Sequence, residues 1–459
     1  MSTFSRRAGG GVIAAGLVSL FVPIASANQP VPIDRELRVM RPGVGGAHAR
    51  CALPSLPEKA QITVAIDALN ARVDAEPAQN FGLRMGLDIQ YVLDAAVAAD
   101  PDFVAGLEEA AQAWESIIAD PAVVRISVGF VSNQSYIAAA GSSRYNWDYT
   151  SLRNGIVADA SPQEAAYVSQ LPAVMTAQDD AGDYNSAVDD SVIVRDSEFQ
   201  SLGNASIDTG SPDNSIVFNT DFAFDTDPSD GISAGETDLV YVMIHEIGHV
   251  LGFSSTVDTS LAGRPNALDF FRMGALGASN DPDNLAEFNS FDREHRANVE
   301  AALDPLDQFS AYAAPLRFST GRNNGDGRQA SHWKDDAILG GQAIGVMDPT
   351  YQGPQQLPAG YITDADLLAL SVIGWDIVLP GSSDPCAFAD ITTDGSSNGI
   401  PDNAVTLSDF SFYLSLWSTG DPASDITLEG VCDVIAGGGD GTTLSDFSCY
   451  LSEWSLGCP

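Results

Sequence analysis

Basic residues are scarce. The 459-residue chain carries 21 Lys and Arg against 62 Asp and Glu, a formal net charge of −41. A surface of that sign repels phosphate backbones and anionic lipid, which argues against nucleic acid as a partner. Long apolar runs are also missing. Beyond the N-terminus no stretch reaches 18 uncharged apolar residues, so the mature chain is expected to have no membrane span. Histidine and cysteine occur five times each. Cys386, Cys432, Cys449 and Cys458 crowd the C-terminal end and can pair in any of three ways. Cys51 stands alone.

What is present begins with a leader. Arg6 and Arg7 precede an apolar stretch from Val12 to about Ile24, and Ala25-Ser26-Ala27 offers a cleavage site. Residues 1–27 therefore read as a secretory signal peptide, with a twin-arginine exporter as the alternative to the general route. The expected location is outside the cell, in solution or held at the cell surface. An exported chain also permits disulfides.

Residues 28–85 are rich in Pro, Ala and Gly and show no sustained periodicity, which suggests an extended arm or a pro-segment. A folded domain is expected over 86–378. Leu87, Ile89, Tyr91 and Leu93 alternate as in a strand, and Phe103, Leu107, Ala111, Trp114 and Ile118 mark one face of a helix. "AVVRISVGFV" is a second strand. Residues 132–210 read as polar and loop-rich, and "NSIVFNTDFAFD" as a strand ahead of the next helix. That helix is expected to start at the capping-box pair Ser233 and Glu236 and to stop at Gly252. Its apolar residues cover nearly every face, so it should be buried. A linker at 379–385 leads to residues 386–459. There "TLSDFSFYLSLWS" at Thr406–Ser418 recurs as "TLSDFSCYLSEWS" at Thr443–Ser455, with eleven of thirteen positions identical.

The chemistry lies in "HEIGH". His245 and His249, four apart on a helix, present two imidazoles on one face, and Glu246 projects near any metal they hold without ligating it. That is where a general base for a metal-activated water belongs. Two core histidines in a buried helix is the bland alternative, at the cost of a buried Glu with no partner. A third ligand is missing from the helix. His48 precedes the domain, and His295 sits in a charged stretch that looks like surface. His332 and Asp258 remain as candidates.

The string "HEIGHVLGF" resembles the metzincin clan of zinc metalloproteases, H-E-x-x-H-x-x-G-x-x-H, with Ser255 at the position of the last ligand. In leishmanolysin-like metzincins an insertion displaces the third histidine, which appears as His-Trp shortly before a methionine turn. "SHWKDD…GVMDP" is similar to that arrangement. The resemblance implies an α+β metzincin-like fold, zinc held by His245, His249 and His332, and Met347 in the turn beneath the metal. It implies an insertion from about Ser255 to Gln329. Asp258 stays open as an alternative ligand or as a residue that orients an imidazole. The resemblance also implies Cys51 as a pro-segment thiolate that blocks the metal, and Tyr351 as an oxyanion stabiliser, although at a longer spacing from Met347. The implied function is a secreted zinc endopeptidase acting on protein or peptide substrates, with Glu246 as general base. The alternative is a catalytically inactive metal-binding adhesion or envelope protein that works through its C-terminal repeats.

The repeats carry apolar stripes at helical spacing: Leu407, Phe410, Leu414 and Trp417, then Leu444, Phe447, Leu451 and Trp454. Acidic loops precede both stripes. The plan resembles dockerin modules, whose Asp-rich loops bind Ca2+, although neither loop here has the regular spacing. A protein or cell-surface partner for residues 386–459 is the expectation.

Overall fold

The computed structural model describes residues 30–377 apart from 43–48, 74–85, 161–167, 205–206, 208–212, 228–230, 275–278, 283, 304–315, 342 and 352–360, with isolated residues between 410 and 432. Residues 1–29 and nearly all of 386–459 lie outside the described residues, and with them the expected calcium loops and the C-terminal cysteines' pairing.

The architecture is mixed α+β, built on one eight-stranded mixed sheet. Its strands are β1 (Val31–Pro42), β2 (Ala49–Ala52), β3 (Asp88–Leu93), β4 (Val123–Val131), β5 (Ala138–Asp148), β6 (Ser191–Val194), β7 (Asn214–Asn219) and β8 (Thr350–Tyr351). The order is β8-β2-β1-β5-β7-β4-β3, with β6 paired on β5. Strands β3, β4 and β7 are parallel, as their β-branched and apolar runs suit a strand covered on both faces. From β5 outward every pairing is antiparallel.

Two layers cover the sheet. On one face lie the helices Pro101–Glu115 and Leu239–Val250, which touch through Trp114, whose indole Nε1 donates to the Ile244 carbonyl across 3.0 Å. All twelve residues of Leu239–Val250 are buried. Each large aliphatic side chain so buried contributes roughly 1.5–3 kcal/mol. On the other face lies the helix Leu56–Val73, whose Ile62, Ile66, Leu69 and Val73 pack with Leu37, Val39, Tyr136 and Val217.

The structure departs from the sequence expectations at four places. The described residues of 28–85 are not merely extended: β1 and β2 pair into the sheet, and Leu56–Val73 packs on one of its faces. Their signal was a single four-residue stripe, Ile62, Ile66, Leu69 and Val73, set among exposed apolar residues that blur the period. Residues 132–210 are not mainly loop, since they contain β5, β6 and the helices Tyr149–Asp159 and Asp196–Ser201. Small residues at Ala138–Ser143 hide a buried strand, because alanine and glycine carry no alternation.

The metal-motif helix starts at Leu239 rather than Ser233. Gly235 turns the chain at φ 88°, and Asp238 takes the capping role by accepting from Tyr241 N across 2.9 Å. At the far end Gly252 stands at φ 118°, as a left-handed stop requires. Finally, His295 is not at the surface. It ends the buried strand Arg293–His295, with Nε2 2.9 Å from the Asp269 carbonyl.

Candidate metal centre

His245 and His249 leave the same face of the Leu239–Val250 helix, and His332 arrives from the segment before Met347. Each imidazole is held at Nδ1. His245 donates to Val346 O at 2.8 Å, His249 to Phe253 O at 2.7 Å, and His332 to Gln329 O at 3.1 Å. A carbonyl can only accept, so each Nδ1 carries the proton and each Nε2 keeps a bare lone pair. Those three Nε2 atoms converge: His332 lies 3.2 Å from His249 and 3.3 Å from His245. Bare nitrogens at that distance repel unless a cation sits among them.

Burial supports the neutral form. It depresses His245 to about 4, against the help of the Val346 carbonyl, and pushes His249 and His332 well below the ordinary imidazole range. Cys51 completes the group. Its Sγ and the three imidazole nitrogens all lie within 4.8 Å of one another, and all four residues are buried. This donor set can hold a metal ion.

The position of Cys51 follows from β2. Cys51 pairs across β1 with Met40, and its own N–H donates to Pro349 O at 2.9 Å, just before β8. Thus the β1–β2 hairpin fills the gap between β5 and the Met347 segment. Burial, with Glu246 nearby, raises the Cys51 thiol well above its ordinary value when no cation is present.

Glu246 is 2% exposed, and its Oε2 makes no hydrogen bond among the described residues. Burial raises its carboxyl, Arg38 lowers it and Glu36 raises it, with a result of about 7. Met347 lies under the helix. A Cβ built on Gly248 would stand 2.5 Å from Met347 Sδ, so the glycine of the motif is the space the methionine uses. Ser255 points away: its hydroxyl donates to Asp269 at 2.6 Å.

Asp258 is not brought to the group. Its backbone is left-handed at φ 57°, and its carboxylate accepts from Asn323 N, Asn324 N and Asn324 Nδ2. The backbone of Tyr351 pairs with Ala49 in β2, and its side chain lies outside the described residues. A second buried group, Asp335, Asp336 and Asp348, lies between His332 and β8. Its oxygens accept from Arg328, Thr350 and the amides of Asp336, Ala337 and Thr350.

Several residues escaped sequence reasoning. Asp366 is fully buried and accepts from Val346 N, Met347 N, Trp333 Nε1 and Thr363 N. It ties the turn to the His332 segment. Its signal was the capping-box spacing of Thr363 and Asp366. Glu36, Arg38 and Arg195 form a buried ionic cluster beside the imidazoles, for which the sequence offered no spacing signal.

No family model, curated protein or solved structure matches the chain. Function must therefore be argued from the donor geometry.

Proposed function

We propose that the chain is a zinc endopeptidase of metzincin type, secreted in a latent form. The observation that supports it best is the convergence of three bare Nε2 atoms, with His332 3.2 Å from His249 and 3.3 Å from His245, together with the buried Glu246, whose Oε2 has no partner among the described residues. Tetrahedral zinc with nitrogens at about 2.0–2.1 Å sets them roughly 3.3–3.4 Å apart, and the match is close. Three neutral imidazoles and a thiolate also suit zinc in donor type.

His245, His249 and His332 would hold the ion, their Nδ1–carbonyl bonds fixing each ring. Zinc, when bound, supplies a Lewis acid that makes water a nucleophile near neutral pH. Glu246 accepts the water proton and delivers it to the leaving amine. Met347 supports the helix from below. Cys51 would supply a further donor to the ion and exclude water from it while the hairpin is in place. The C-terminal repeats would serve retention or partner binding in this reading. Among the described residues no helix is long and apolar enough to cross a membrane.

The deciding experiment is digestion of a denatured protein mixture by the secreted protein, with and without chelator, followed by mapping of the cut sites and metal analysis. No cleavage by a processed, zinc-loaded sample would reject the enzyme. It would leave the metal-binding surface protein as the better reading.

A further inference from the structure

The carboxylate of Glu36 occupies a pocket that the rest of the fold builds for it. Arg195 Nη2, from the residue ahead of the helix Asp196–Ser201, donates to Glu36 Oε2 at 2.5 Å. Ser254 Oγ, just past the metal-motif helix, donates to the same oxygen at 3.3 Å. Gln329 Nε2 donates to Oε1 at 3.3 Å. Arg38 of the same strand pairs with Oε1 at 2.8 Å, and three separate parts of the rest of the chain aim donors at that carboxylate. Two of them sit beside the groups that fix the imidazoles: Ser254 follows Phe253, whose carbonyl holds His249, and the carbonyl of Gln329 itself holds His332.

Arg195 is 1% exposed, and its Nε and Nη1 make no hydrogen bond among the described residues. Nη1 lies 3.5 Å from Glu198, which balances only part of the charge. The Oε1 of Gln329 is likewise buried without a partner. Glu198 of the surrounding domain supplies one buried carboxylate to this guanidinium, and Glu36 of the hairpin supplies the closer one. The same strand repeats the pattern one step out, where Asp34 grips Arg144 of β5 at 2.9 and 2.7 Å. A surface cleft of about 670 Å³ opens along this line, with Arg35, Glu36 and Arg144 on its wall.

Strand β1 is an extended peptide laid antiparallel on β5, with Glu36 opposite Ser142. We infer that Arg195, Ser254 and Gln329 form a subsite for an acidic substrate side chain, and that Glu36 occupies it in the latent protein. This rests on the peptidase reading above and on removal of the hairpin. An extended substrate then takes the place of β1, and one of its carboxylates replaces Glu36 on Arg195. Cleavage is accordingly selective for peptides with Glu or Asp at one defined position. A chain with so few basic residues keeps these two arginines, Arg144 and Arg195, where the hairpin's acids now lie.

The test uses the protein secreted from the full chain, after N-terminal processing, with the mature N-terminus determined. Matched peptides carrying Glu, Gln or Lys at each position should show one position where Glu exceeds Gln in kcat/KM by about tenfold or more. Arg195→Gln should bring that ratio to about one. Because this change can disturb the buried cluster, a second arm leaves the enzyme intact. A synthetic strand of residues 31–42 should bind in trans, and its Glu36→Gln form at least about tenfold more weakly. An active enzyme with no acidic preference, or a mature form that retains Glu36, overturns the subsite. A processed protein that cleaves nothing rejects the peptidase reading instead, and the two synthetic strands, compared by calorimetry, still decide the pocket.

Discussion

His245 donates its Nδ1 proton to the carbonyl of Val346 across 2.8 Å, although 101 residues separate them. The helix Leu239–Val250 and the Val346–Met347 segment are therefore one hydrogen-bonded unit. Met347, the next residue, sits under Gly248. Imidazole geometry and core packing are coupled at this point.

Gly248→Ala should destabilise the fold by about 1–3 kcal/mol, because the new methyl meets Met347 Sδ in a filled core. Met347→Ala opens space and should cost about 2–5 kcal/mol alone. The double variant should cost clearly less than the sum, since each change relieves the other. Denaturant unfolding of the four proteins gives the coupling. Strict additivity would show that the two side chains do not touch.

Glu246→Gln should retain metal and fold, and lose about 10²–10⁴-fold in peptide hydrolysis. The amide keeps the shape and cannot take the proton. Metal content and casein cleavage are measured on the same preparation, and wild-type turnover by the variant would exclude Glu246 as base.

His332→Ala should lower metal affinity by orders of magnitude, whereas Asp258→Ala should leave it close to wild type. Competition with a chromogenic chelator reads both. The reverse ranking would mean that the Asp258 segment rearranges to close the site.

In the cobalt-substituted full chain, a thiolate at the metal should give a sulfur-to-metal charge-transfer absorption. Cys51→Ala should abolish it and raise activity on small peptides before processing. An unchanged spectrum would take Cys51 out of the metal's coordination shell.

Acid should loosen the hairpin. Burial raises the Glu36 carboxyl, but Arg38, Arg195 and Arg144 together outweigh it and hold it down at about 2, from 4.5. Its contribution is complete above pH 4.5 and is lost as pH falls toward 2, on the order of 3 kcal/mol in all. Glu198 works in the opposite direction. Burial pushes it up to about 7 against Arg195, so its contribution is complete below pH 4.5 and is lost as pH rises through 7. The pair together favours pH near 4.5. Thermal unfolding across pH should show a weaker acid limb in Glu36→Gln and a weaker neutral limb in Glu198→Gln. Profiles parallel to wild type in both limbs would contradict this account.

The sequence alone determined the parts of the centre that are local. His245, Glu246 and His249 share one helical turn, and the helix period places them together wherever the helix goes. The apolar residues of Leu239–Leu251, which cover nearly every face, likewise said that this helix is buried. For His332 and Met347 the sequence offers only elimination and resemblance, because nothing in their own spacing brings them to a helix more than 80 residues earlier. Tertiary structure decided the rest. It turned the three Nε2 atoms together, His332 lying 3.2 Å from His249 and 3.3 Å from His245, through carbonyls of Val346, Phe253 and Gln329, which any residue type can supply and which therefore leave no trace in a sequence. It chose Asp238 over Ser233 as the helix cap, because Gly235 turns the chain between them. It placed Cys51 by pairing β2 between β1 and β8, a contact between segments some 300 residues apart. It also joined Glu36 to Arg195, since charges find partners by distance in space and carry no periodicity along the chain.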